Sequence, residues 1–463
     1  MANRFFQKRP VLKSDSEDEE RNSLEMIYRH NVEFAVGHGI SVHTKVEERD
    51  SKYALEIKTK VLPNYEVPMT ETPGLMKEDR PALKEMISKG YLDMRKIASM
   101  NSKELRSVLE TLTNDYKSWI QEQRNRIGKD LVGYDEVASD AMNKCEMIYN
   151  RLVEGINAII PNPNDDEVTP ALEAFRFANL AMASQRVRSI YALKKRRNEN
   201  PNFHDLDIPK NRSWRPFQLA FILLSIPALV DPKHKDRTEP IESLADLLWF
   251  PTGGGKTEAY LGVAGFSMAI RRLQDDLGDF DSKRGLSVIM RYTLRLLTIQ
   301  QFQRATTLIC AMETMRRQDS GKWGEEPFTI GLWVGKRVTP NTTEEAHEAI
   351  SDIRASRRQK ASSPHQLSFC PWCGSEIKEG RDIEVKKIER DIGKTIIYCG
   401  DPKSECDFTK AKSKDFGLPI SVVDEEIYRR PPSMLIATVD KFARIAWEGK
   451  TRTLFGYATT ECP

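Results

Sequence analysis

Long hydrophobic runs are missing from this 463-residue chain. The longest near its centre, LAFILLSIPALV at Leu219–Val230, contains a serine and a proline and falls far short of the roughly 20 residues a membrane-spanning helix needs. A buried helix is the expectation there, and no membrane partner is expected. The amino terminus, MANRFFQKRPVLKSDSEDEE, has no apolar centre and no small-residue cleavage site. It does not read as a secretory signal, so the cytoplasm is the expected location. Charge imbalance is also missing: 71 Lys and Arg stand against 68 Asp and Glu, a net +3, so any nucleic-acid surface has to be local. Cysteine is scarce. Seven are present, and Cys145, Cys310 and Cys462 are scattered, which argues against a disulfide framework.

What is present suits a soluble globular protein: 39% hydrophobic and 30% charged residues, over a length sufficient for about two to four domains. Residues 1–80 read as a β-rich segment, because VEFAVGHGISVHTKV and YALEIKTKVLPNYEVP alternate apolar with polar residues. The acidic tract SDSEDEE before them reads as a solvated loop. Residues 81–200 change period. Leu105, Leu109, Leu112, Tyr116 and Trp119 form one helical stripe, and Val137, Ala141, Cys145, Ile148, Leu152 and Ile156 form a second. A third helix is expected to open at Pro170 and to end in the basic cluster Lys194–Arg197. That cluster complements a helix dipole, with contact to nucleic acid as the alternative. Asn and Pro then break the pattern, and residues 211–463 form the next domain.

In that domain strand-like pieces alternate with helices: Leu247–Phe250, Leu286–Met290, Phe328–Val334 and Met434–Ala437 are the expected strands. Such alternation predicts an α/β fold with a parallel sheet. Between the first strand and its helix lies FPTGGGKTEAY. Glycines permit a tight turn, and their backbone N–H groups with a helix start can surround a phosphate. Thr252, Gly253, Gly254, Gly255, Lys256 and Thr257 are the candidate ATP site, with Lys256 reaching the β and γ phosphates and Thr257 holding Mg²⁺. Phe250 occupies the place where the strict P-loop pattern has its first glycine.

The remaining Pro-Thr-Gly-Gly-Gly-Lys-Thr resembles the variant used by superfamily 2 helicases. The resemblance implies that Gln218, in WRPFQLAF, reads the adenine edge. It also implies that Thr293, Arg295 and Gln300, in RYTLRLLTIQQFQRA, meet DNA backbone, for which hydroxyl, guanidinium and amide are suited. Taken with EFAVGHGISVH, AFRFANLAMASQR, CPWCG and DEEIYRRPPSMLIATVDKFARI, the chain from about Tyr28 to Phe455 is similar to the helicase subunits of the DISARM bacterial anti-phage systems. This implies a RecA-like first helicase lobe in an ATP-driven DNA motor, with other DISARM subunits as partners.

Cys370, Cys373, Cys399 and Cys406 cluster with the spacing of a zinc site, the first pair tight and the second looser. His365 is a possible substitute ligand. Four protein ligands would close the coordination, so Zn²⁺ would be structural, held by a zinc ribbon inserted at residues 365–410. An acidic box for Mg²⁺ and water is harder to find. Asp424 and Glu425 are the single candidate, and only 13 residues run from Glu426 to Thr438 inclusive. The resemblance instead places Thr438, Asp440 and Lys441 in a second nucleic-acid motif, with the acidic box beyond Pro463. The lobe is then expected to be incomplete. The chain would be the amino-terminal part of a motor, one half of a split motor working with a separately encoded carboxy-terminal half, a non-catalytic nucleotide- and DNA-binding scaffold, or a free-standing ATPase that uses Asp424 and Glu425.

Overall fold

The computed structural model describes residues 6–9, 19–30, 32–47, 52–62, 74–164, 167–238, 243–250, 253–274, 276, 282–292, 295–357, 362–387 and 393–457. It divides into two compact units: Met1–Thr72 with Leu112–Arg151, and Pro73–Thr111 with Leu152–Pro463.

The first unit holds a three-stranded antiparallel sheet, β1 (Phe6–Gln7), β2 (Ser41–Val46) and β3 (Tyr53–Lys60), in the order β1-β3-β2. β2 and β3 form where Val, Ile and Tyr alternate with polar residues, and the register shifts at Lys45 and Val46. Glu19 and Glu20 of the acidic tract open a helix, Glu19–Ile27, where their charges face its positive end. The two helical stripes form the helices Ser102–Arg124 and Asp135–Ile159, each of which carries residues of both units. Within the first unit they meet through Lys117 over the Tyr149 ring and through Arg124 and Asn143, 3.0 Å apart.

The second unit is built around the helix Pro170–Arg196. Proline sits in its first turn, and the Thr169 hydroxyl accepts from the Leu172 N–H at 3.1 Å, satisfying one of the donors a helix start leaves open. Ala174, Phe175, Ala178, Ala181 and Met182 bury its length, and the helices Pro216–Val230, Lys256–Leu273 and Arg295–Gln318 belong to the same core. The segment where Asn and Pro break the helical pattern is tied down. Arg212 pairs with Asp93 at 2.9 Å and with Asp207 at 2.5 Å, and Arg95 reaches Asp207 at 2.9 Å. Composition marked it as irregular, but ion pairs with residues 112 and 119 positions away are invisible to local pattern.

The sheet of this unit is parallel, in the order β4 (Val288–Tyr292), β9 (Met434–Thr438), β5 (Ile330–Trp333) and β8 (Ile420–Ser421). A hairpin-like pair, β6 (Ile383–Lys387) and β7 (Gly393–Ile397), lies among the cysteines and is antiparallel. β9 is buried at every residue, as a central parallel strand covered on both faces should be. β4 alternates between partly buried and exposed, and among the described residues it is paired on one side only.

The expected strand Leu247–Phe250 is not formed: these residues join no ladder, and Leu247 and Trp249 are each 85% exposed. Apolar, β-prone residues become a strand only when a neighbour completes their hydrogen bonds, and none of the described residues does. The chain is a mixed α/β protein with a parallel sheet and a helical domain. No helix among the described residues is long and apolar enough to cross a membrane.

Candidate nucleotide cradle and metal centre

The glycine run makes its turn through left-handed backbone, with φ of +84° at Gly253 and +93° at Gly255. Gly255 caps the 18-residue helix Lys256–Leu273. A side chain there would be strained by that φ, and its Cβ would lie 2.7 Å from the Gln218 Nε2. Pro251 and Thr252 lie outside the described residues. Lys256 and Thr257 occupy the first turn, and the Lys256 ammonium donates to the Phe250 carbonyl. The Phe250 ring stacks on Phe217 at 4.2 Å. Gln218, expected at the adenine edge, is 3% exposed, with Nε2 donating to the Gly255 carbonyl at 2.7 Å and Oε1 accepting from the Arg215 N–H at 2.8 Å.

Sequence reading missed the residue that fastens this helix. Glu258 is buried, and its Oε1 accepts from Arg186 of the Pro170–Arg196 helix at 2.9 Å and from Arg304 of the Arg295–Gln318 helix. One carboxylate thus joins three helices. The signal available in sequence was a carboxylate next to Lys-Thr, which says nothing of partners 72 and 46 positions away. Glu258→Ala should leave two guanidiniums facing each other. The arginines are about one-third exposed, so screening moderates the loss to about 2–3 kcal/mol. A lower urea midpoint at unchanged slope would report it.

The four cysteines come together. The Sγ atoms of Cys370, Cys373, Cys399 and Cys406 all lie within 4.8 Å of one another, with Cys370 to Cys406 at 4.0 Å and Cys373 to Cys399 at 3.3 Å. Tetrahedral zinc with Zn–S bonds of about 2.3 Å places its sulfurs about 3.8 Å apart, so the donors fit. Hydrogen bonds from the Cys370, Cys399 and Cys406 thiols hold Cys373 far below the ordinary thiol range, and burial pushes Cys370 well above it. Crowded thiols that share protons in this way release them when a cation replaces the protons. His365 is engaged elsewhere, its Nε2 2.9 Å from the Ile377 carbonyl oxygen and its Nδ1 3.6 Å from Glu379.

The turn Cys370–Gly374 closes through the Gly374 N–H on the Cys370 carbonyl at 2.8 Å. It sits hard against the Pro170–Arg196 helix: a Cβ on Gly374 would lie 2.7 Å from the Ala192 carbonyl oxygen. Arg188 from that helix places its guanidinium 4.2 Å from the Trp372 ring centre and 4.4 Å from that of Phe203. Of the basic cluster at the helix end, Lys194 pairs with Glu199 at 2.7 Å and Arg196 lies over Phe369.

No family model matches the chain. A curated relative from Bacillus paralicheniformis, the DISARM protein DrmA, is 34% identical over 457 residues, which is 98% of this chain. The chain is similar to DrmA along nearly its whole length. It spans 38% of the length of that relative.

In this DrmA-like chain β4 and β9, the strands that lead into the two segments expected to meet DNA, are neighbours in the sheet. In the β4–β9 register Tyr292 stands opposite Thr438, so the two strands end side by side. Thr293 and the Arg295 side chain lie outside the described residues, and Gln300 is exposed. Thr438 is buried at the end of β9, its hydroxyl without a hydrogen-bond partner among the described residues, and Asp440 is exposed. Lys441 and Asp424, each 5% exposed, form a buried ion pair, and the Lys441 ammonium lies 5.7 Å from the Trp333 ring centre.

Each residue of the acidic run has a partner within the fold. Asp424 pairs with Lys441, and Glu425 accepts from the Thr343 N–H at 3.0 Å at the start of the helix Thr343–Arg354. Glu426 accepts from the Thr395 N–H at 3.0 Å and from its hydroxyl at 2.8 Å. Burial raises the Glu426 carboxyl above the usual range.

Proposed function

We propose that this chain is the nucleotide-holding portion of an ATP-driven, superfamily 2 type DNA motor that serves anti-phage defence in the cytoplasm, beside other DISARM subunits. The observation that supports it most is the left-handed glycine turn opening an 18-residue helix with Lys256 and Thr257 in its first turn. On this reading the backbone of Thr252, Gly253, Gly254 and Gly255 surrounds the phosphates, Lys256 bonds the β and γ groups, and Thr257 holds Mg²⁺. Thr293, Arg295, Gln300, Thr438 and Lys441 meet DNA backbone at the adjoining ends of β4 and β9, Lys441 after leaving Asp424. Such contacts position a strand without reading its sequence. Zinc, held by four cysteines, leaves no open coordination position and is structural.

Hydrolysis also needs carboxylates for Mg²⁺ and water, and groups that neutralise charge on the transferring phosphoryl. Asp424 and Glu425 are held by Lys441 and Thr343, so in this proposal those groups come from further polypeptide, in a longer motor or a separately encoded half. Among the described residues one edge of β4 is unpaired, and Leu247 and Trp249 are exposed; each is an apolar, strand-forming feature for such a partner to cover. Without that partner the chain acts as a nucleotide- and DNA-binding scaffold.

Turnover tests the assignment. The purified chain should bind DNA with an affinity that falls steeply with salt and should hydrolyse Mg·ATP no faster than buffer, with or without DNA. Turnover by the chain that Glu425→Gln removes would overturn the placement of the catalytic groups.

A further inference from the structure

Two successive carbonyls of the glycine run are held from outside the turn. Arg215 Nη1 donates to the Gly254 carbonyl, and Gln218 Nε2 donates to the Gly255 carbonyl at 2.7 Å. Gln218 is itself fixed, because its Oε1 accepts from the Arg215 N–H at 2.8 Å. In a trans peptide the C=O and the next N–H point in opposite directions, and no cis peptide occurs among the described residues. Drawing the Gly254 and Gly255 carbonyls toward the start of the Pro216–Val230 helix therefore turns the Gly255 and Lys256 N–H groups away from it. Both then face the same open side at the start of a long helix, where consecutive N–H groups make an anion nest.

We propose that Arg215 and Gln218 are positioning residues that preset the phosphate cradle through its carbonyls, and that the site selects a magnesium-bound polyphosphate chain without choosing among bases. The inference rests on the cradle reading above. A glutamine that reads adenine must present a donor and an acceptor to the base edge. Here one donor and one acceptor are committed inside the chain, and the side chain is almost fully enclosed, so no amide edge is open to a base. Its function passes through Gly255, whose φ of +93° strains any side chain and whose added Cβ would lie 2.7 Å from Gln218 Nε2 and displace it.

The test is calorimetric titration of the full chain, in Mg²⁺, with ATP, GTP and inorganic tripolyphosphate. The unaltered chain should bind the three within about threefold of one another. Gln218→Met should weaken all three equally, by about tenfold, the equivalent of one lost hydrogen bond that orients a binding group. Arg215 is exposed, so Arg215→Met serves as a second variant that keeps the fold, and Arg215→Lys should restore most of the binding that Arg215→Met removes. A preference for ATP above tenfold that Gln218→Met abolishes would make Gln218 a base reader and overturn the proposal. Unchanged affinity in both methionine variants would overturn the positioning role. Absence of binding by all three ligands to the unaltered chain would overturn the cradle reading itself, and the proposal with it.

Discussion

Replacing Cys370 with serine is expected to reduce bound zinc from one ion per chain to nearly none and to lower the thermal midpoint by on the order of 10 °C. The four sulfurs converge from two turns, Cys370 to Cys373 and Cys399 to Cys406, and the antiparallel pair β6–β7 lies between them. The first turn carries Trp372, beneath the Arg188 guanidinium, and Gly374, pressed on Ala192 of the central helix. A structural zinc site contributes on the order of 10 kcal/mol to the order of such a module, and each kcal/mol moves the midpoint of a domain this size by about 2–4 °C. Part of the loss will be absorbed by local unfolding of residues 365–410, so the shift in global midpoint is smaller than the full binding energy. Metal analysis and calorimetry on the variant, with Cys145→Ser as control, check it. Full zinc content in Cys370→Ser would show that the cluster is not the metal site.

Lys256→Ala is expected to weaken Mg·ATP by about 10- to 100-fold while changing stability by no more than about 1 kcal/mol. The loss is that of charge-assisted hydrogen bonds to phosphate, worth about 1.5–3 kcal/mol. The small stability change follows from the ammonium's position, on the Phe250 carbonyl at the mouth of the turn. Fluorescence titration and urea unfolding separate the two effects. Equal loss of stability and affinity would instead make Lys256 a structural residue. Thr257→Ala should act through Mg²⁺, with its defect shrinking as the cation concentration rises.

Much of the fold was legible where one short stretch of sequence dictates its own structure. β9 was expected from the apolar run Met434–Ala437, and the long helices from stripes such as Leu105, Leu109 and Leu112. The cysteine cluster was legible because thiols at ligand spacing have few other uses. What escaped was pairing over distance. Glu258 with Arg186 and Arg304, and Asp424 with Lys441, are ion pairs between separate helices, and periodicity reports which face is buried but not what it meets. Leu247–Phe250 failed for a related reason: a strand is a property of two segments, and its apolar residues name only one. The resemblance carried the candidate DNA contacts; the β4–β9 register pairs the strands that precede them, and Thr438 and Lys441 are buried.

On the proposed function the glycine run is a working phosphate cradle. Titration of Mg·ATP into the full chain measures this most directly. The expected result is saturable binding at one site per chain, retained in Glu425→Gln and lost or strongly weakened in Lys256→Ala. Absence of binding up to millimolar Mg·ATP, or binding that Lys256→Ala leaves unchanged, would contradict it.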